Sequence, residues 1–198
     1  MKTPRTKAAA FTVVEMLVVL AILAVLVWMA IPMVSDRGSS RVTALSNARQ
    51  LHMVTQQMSL DNFNAGKDLQ WTTRVVNGKV EPVSLAEYFG ALTNSNAYLT
   101  DRDLRKLLSV DGKGPGPWAA PNAENIAFRI FAVSEEESPS DQPFVVTANW
   151  KGGVLTSDRP YGKKGFVLFT KGGGGGIYKT PSASIFPTGP KYHSETLK

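Results

Sequence analysis

FTVVEMLVVLAILAVLVWMAIPMV, residues 11–34, is the stretch on which the fold turns. From Met16 onward it holds nineteen residues without a charge. A helix of that length rises roughly 28 Å, close to the ~30 Å hydrocarbon core of a bilayer. A secretory h-region is about 7–15 residues, so this run is long for one. Its exit, Trp28-Met29-Ala30, puts a bulky ring where a small residue is preferred. The run is therefore read as a retained membrane helix. Lys2, Arg5 and Lys7 precede it, and by the positive-inside rule this end stays in the cytoplasm. Everything from about Asp36 then lies on the far side.

One carboxylate, Glu15, interrupts the start of the run. An ionised side chain inside a spanning segment costs on the order of 3 kcal/mol, less near the membrane edge. Residues 11–34 contain no Lys, Arg or His. For a Glu near a helix end, the plain reading is a shallow position that reaches the headgroups.

A short basic leader, then Phe11-Thr12-x-x-Glu15, then an apolar helix resembles the N-terminus of prepilins, the family of type IV pilins and type II secretion pseudopilins. The resemblance covers residues 5–35. It implies cleavage by a prepilin peptidase between Ala10 and Phe11, N-methylation of Phe11, and a role for Glu15, the fifth mature residue, in subunit assembly. Pro32 matches a proline that type IV pilins often carry late in this helix. The family usually has Gly before the cut, where this chain has Ala10. Cleavage would create an α-amino group with a pKa near 8, largely protonated at neutral pH. In a low dielectric, Glu15 and a neighbouring subunit's terminal amine would attract strongly.

Outward from this segment, Ser35-Asp36-Arg37-Gly38 is polar, and Gly38 and Pro32 are weak points for a helix. Ala44, Ala48, Leu51, Thr55 and Met58 then recur at helical spacing. Residues 35–62 are expected as an amphipathic continuation of the membrane helix, ended by residues 62–66. Residues 63–125 read as loop-rich with two short helices. Ser84-Leu85-Ala86-Glu87 forms a capping box for the first, and Thr100 opens the second. Residues 126–180 hold strand candidates at 126–133, 144–150 and 166–170, with Ile177-Tyr178 pairing back across residues 172–176. Strands this close in sequence favour an antiparallel sheet. Residues 181–198 read as a polar tail. The expected fold is α+β, a long membrane-spanning helix packed on a small antiparallel head, as in pilins.

Chemistry is sparse. The 198 residues contain no cysteine and two histidines, His52 and His193, one in a helix and one in the tail. That supports neither a zinc site nor a His-based triad. His52 is expected on a helix surface or facing the sheet. The glycine run 172–176 lacks the Lys-Ser/Thr of a phosphate loop and reads as a hairpin tip. Some type II pseudopilins hold calcium in a C-terminal loop, and Glu135, Glu136, Glu137, Asp141 and Asp158 lie in that region here. They lack a recognisable ligand spacing, so no cofactor is expected, with calcium as the alternative. Trp71, Tyr88, Phe89, Tyr98, Trp118 and Trp150 read as core or interface packing. Without residues 1–10 the chain keeps 19 basic against 16 acidic residues, too mild an excess to argue for nucleic acid.

The expected function is structural rather than enzymatic. The chain reads as a pseudopilin-like filament subunit held in the bacterial inner membrane, with partners in the peptidase, related subunits and an inner-membrane assembly platform. A compact head without paired cysteines favours the secretion reading. Two alternatives stay open: a type IV pilus subunit for adhesion, motility or DNA uptake, and a signal-anchored ligand-binding domain that does not polymerise.

Overall fold

The computed structural model describes residues 13–34, 37–94, 98–182 and 195–198. The chain divides into two compact units, residues 1–37 and 38–198. The first holds helix α1, Val13–Val34. Its side chains are described over residues 13–26, fourteen residues that rise about 21 Å, and all are exposed. Among the described residues no helix is long and apolar enough to cross a membrane.

The second unit is an α+β head. Helix α2, Arg37–Asn64, precedes a meander of β1 (Leu69–Gln70), β2 (Thr73–Val76) and β3 (Lys79–Pro82). Helices α3, Leu85–Thr93, and α4, Asp101–Leu107, follow. Strands β4 (Phe128–Ile130), β5 (Pro143–Thr147), β8 (Phe166–Thr170) and β9 (Gly175–Tyr178) form the main sheet, antiparallel and in that spatial order. A small ribbon, β6 (Trp150–Lys151) and β7 (Val154–Leu155), sits between β5 and β8 in sequence.

Both short helices start where their caps direct. Ser84 Oγ accepts from the Glu87 amide, and Thr100 Oγ1 from the Asp103 amide, each satisfying one orphan donor of a first turn. The sheet is buried on both faces. Val167 and Phe169 of β8 point to the α2 side, while Phe166 and Leu168 join Phe131 and Val146 on the other, under Trp150, Leu155 and Tyr178. A bulge between Pro143 and Val145 breaks the alternation of β5 and turns both Phe144 and Val145 into the α2-side core.

Four expectations need correction. Residues 63–125 contain the β1–β2–β3 meander, closed by Asn77-Gly78 with positive φ at both residues (50° and 76°), the backbone a tight two-residue hairpin demands. The 126–133 strand is limited to Phe128–Ile130. The polar tail ends in a packed segment: Thr196 bridges Phe131, and Leu197 is buried with its amide bonded to the Ile130 carbonyl. Residues 183–194 of that tail lie outside the described residues.

The fourth correction concerns α2, which is periodic in burial but not amphipathic in chemistry. Ala44, Ala48, Leu51 and Met58 are buried as expected, yet so are Asn47, His52, Thr55, Ser59 and Asn62. Val42, Met53, Leu60 and Phe63 are exposed. Four buried polar residues each find a partner. Asn47 Nδ2 donates to the Leu107 carbonyl at 3.1 Å, His52 Nε2 to that of Lys171 at 2.6 Å, and Asn62 Nδ2 to that of Leu69 at 3.0 Å. Thr55 Oγ1 donates to Leu51 at 2.7 Å and lies 2.5 Å from the Tyr88 hydroxyl. Each bond beyond the helix reaches a different element, so together they fix the register of α2 on the head.

Candidate functional site

Glu15 stands in the first turn of α1, where a carboxylate complements the positive end of the helix dipole. Around it Val13, Val14, Met16, Leu17 and Val18 are exposed, Val13 by 79 %. Ala10 and Phe11, the expected cleavage and methylation positions, lie outside the described residues, as do Ser35 and Asp36. The helix runs through Pro32 to Val34, and Gly38 falls inside α2. Neither expected weak point ends its helix.

In the head, His52 is sheet-facing and buried. Its ring meets those of Trp71, Phe144 and Phe169 edge-on at 5.3, 6.0 and 5.1 Å. The Lys171 carbonyl can only accept, so Nε2 is the donor, and the residue serves as a packing element.

The glycine run turns β8 into β9. Gly173 has φ 84°, and Thr170 and Gly174 close the turn at 2.7 Å. A Cβ on Gly175 would overlap the ring of Phe169. These glycines permit a turn and a close ring-to-backbone approach.

Glu135 and Asp158 are engaged separately. Glu135 accepts from the indole of Trp71, and Asp158 pairs with Lys151 at 2.8 Å and accepts from Thr156 at 3.1 Å. Those bonds hold the Asp158 carboxyl below its usual range. Among the described residues no three His, Asp or Glu side chains converge as a metal-ligand set.

The aromatics divide. Trp71, Tyr88 and Phe89 are core, and Trp150 packs on the second face. Tyr98 donates to Asp61 Oδ2 at 2.8 Å, on the rim of a cleft of about 310 Å³ that Met58, Asn62 and Lys67 also line. Burial and the Asp61 carboxylate both raise its pKa. Trp118 is 97 % exposed, on a loop whose Gly116 and Ala119 carbonyls both accept from Arg105 Nη1.

Residues 5–31 match the prokaryotic N-terminal methylation motif. No curated protein and no solved structure matches the chain. The N-terminal segment is thus a prepilin-type signal, the kind that type IV pilins and pseudopilins carry, and the signal implies a prepilin peptidase and other pilin subunits as partners.

Proposed function

From a prepilin-type signal over residues 5–31, we propose that this chain is a pseudopilin-like subunit of a type II secretion or type IV pilus-like filament. The role is structural and needs no catalytic residue or cofactor. The peptidase cuts between Ala10 and Phe11, and Phe11 becomes the methylated terminus. Before assembly α1 spans the bacterial inner membrane with its start in the cytoplasm and the head outside. The support for a span is the sequence, whose nineteen uncharged residues from Met16 to Val34 would rise roughly 28 Å as a helix, close to a ~30 Å core.

The observation that carries this reading is the exposure of α1. Val13, Leu17, Leu20, Leu23 and Leu26 bury little against their own chain. Fully burying such a side chain is worth about 1.5–3 kcal/mol, so an external apolar partner is required. Lipid supplies it first and the helices of neighbouring subunits afterwards. Glu15 docks each incoming subunit on a neighbour's freed α-amino group, a pair whose disruption leaves a buried charge at a cost of several kcal/mol. Contacts of this kind are heterologous and do not close, so they propagate a filament.

Mass spectrometry of the chain from native membranes tests the processing. A mature mass that starts at N-methyl-Phe11 is expected, whereas intact Met1 would favour an anchored domain that never polymerises. Glu15→Val is expected to keep the chain in the membrane and block filament assembly. Normal filaments from that variant would refute the docking role.

A further inference from the structure

The end of the head at the start of α2 is basic. Arg41 Nη2 donates to the Lys164 carbonyl at 2.9 Å, and its guanidinium lies 5.6 Å from the centre of the Tyr161 ring. The Tyr161 hydroxyl donates to the Ser40 carbonyl at 2.7 Å. These contacts hold the loop at residues 156–165 against the first turns of α2. From inside, Asn149 Nδ2 donates to the carbonyls of Gly162 and Gly165 at 2.7 and 2.8 Å, which pins the short 3-10 helix Gly162–Lys164. Lys163 and Lys164 are left exposed, as is Arg159.

A second loop joins them. The Tyr161 amide donates to Asp111 Oδ2, and the Arg159 guanidinium reaches over Gly112. Lys113 of that loop is half-buried. Burial holds its pKa below the usual lysine range; Asp158 opposes the shift, and Lys151 and Arg129 add to it. Arg41, Lys113, Lys151, Arg159, Lys163 and Lys164 therefore gather around two carboxylates, Asp111 and Asp158. Glu135, Glu136, Glu137 and Asp141 belong to the opposite end of the sheet, beside the Pro143–Thr170 pair. Cations thus outnumber carboxylates at one end of β5 and β8, whereas the other end holds these four carboxylates with Lys171 among them.

We propose that this basic end is a contact surface for anionic lipid headgroups, on which the head rests while the subunit waits in the membrane. The proposal builds on the reading of α1 as a membrane span. Chain connectivity then limits the distance. Arg41 follows Val34 by seven positions, so this member of the patch is tethered within about 25 Å of the end of the span. Each cation near an anionic surface gains an attraction equivalent to about fivefold in local concentration. Four or more together orient the head. A filament neighbour that displaces the headgroups meets that attraction as a resistance to extraction, and the resistance is set by lipid composition.

The test uses the full chain reconstituted in vesicles of phosphatidylcholine, with or without phosphatidylglycerol. Vesicle flotation reports insertion. Lysine acylation rates, read by peptide mass spectrometry, report the patch, with the exposed Lys79 of the meander turn as internal reference. Flotation with both vesicles is expected. Lys163 and Lys164 should acylate about fivefold more slowly with phosphatidylglycerol, and high salt should erase the difference. Lys151 should lose its own slowing in a K163E/K164E variant. Flotation with both vesicles but equal acylation would overturn the lipid surface while leaving the span intact. A chain that floats with neither would overturn the span, and the lipid surface with it. Equal slowing by inorganic phosphate, or by a short DNA duplex, on neutral vesicles would mark another anion as the partner and overturn the assignment to lipid.

Discussion

Tyr88→Phe separates ring burial from hydroxyl chemistry at the contact between α2 and α3. Tyr88 is fully buried, and its hydroxyl lies 2.5 Å from Thr55 Oγ1. Thr55 already donates to the Leu51 carbonyl, so Tyr88 is the donor of the pair. Phenylalanine keeps the ring contacts and strands no donor, so the loss at neutral pH is one neutral hydrogen bond, about 1 kcal/mol. Alkaline pH reverses the balance. Burial pushes the Tyr88 phenol far above its usual range, and the Thr55 bond pulls it back only in part. An unfolded tyrosine releases its proton near pH 10, so above that pH the folded state binds more protons. The stabilisation is therefore complete below pH 10 and is lost as pH climbs toward the raised folded value. By pH 11 the wild type has lost about 1.4 kcal/mol through this group, and phenylalanine has lost nothing. Tyr98 and Tyr161, also shifted upward, titrate in both proteins and cancel. The assay is urea unfolding of the full chain in detergent, followed by tryptophan fluorescence at pH 7 and pH 11. The variant should be the weaker protein at pH 7 and equal or stronger at pH 11. A gap of the same size and sign at both values refutes the argument.

Gly175→Ala forces a methyl into the Phe169 ring and should cost about 1–3 kcal/mol in the same assay, the usual range for overpacking. Asn149→Ala removes two buried donors from the Gly162 and Gly165 carbonyls and should cost about 1–3 kcal/mol, with faster amide exchange confined to residues 156–165. Trp118→Ala should change the urea midpoint by less than about 0.5 kcal/mol, because the ring is almost wholly exposed. Met53→Glu should leave the midpoint within about the same limit yet reduce filament yield, if its exposed side chain on α2 is covered by a neighbour in the proposed filament.

The sequence was most legible where local chemistry decides structure. Ser84 and Thr100 cap the helices they announce, and 166–170 is a strand to the residue. The glycine run returns as a hairpin, which its lack of a phosphate-loop lysine already implied. The meander escaped notice because its strands are two to four residues long and barely alternate. Asn77-Gly78 between Val76 and Lys79 is the signal that would have found it. The packed end of the tail escaped because one buried side chain, Leu197, carries it, and nothing local distinguishes that leucine from an exposed one. Of the candidate site, the leader motif was readable in full, since residue order alone defines it. The basic end of the head was not, because Arg41 meets Lys164, and Tyr161 meets Asp111, only through tertiary contacts.

The unusual chemistry of α2 fits the two jobs that the proposed filament role would give this helix. Val42, Met53 and Leu60 are spaced by eleven and seven residues, which at 100° per residue places them within about 20° of one line. An ordinary surface helix would turn such a line inward and its Asn47, His52, Thr55 and Asn62 outward. Here the head holds the helix by directional hydrogen bonds, each worth about 1 kcal/mol net but specific for one partner. That arrangement sets register without spending the larger apolar side chains, each worth about 1.5–3 kcal/mol once buried. Under the proposed role, those exposed side chains would be the ones a neighbouring subunit covers. In an isolated domain the same distribution would be a solubility burden with no return. In a subunit that must fold first and polymerise later, it lets the two steps draw on different contacts, so strengthening assembly need not loosen the head.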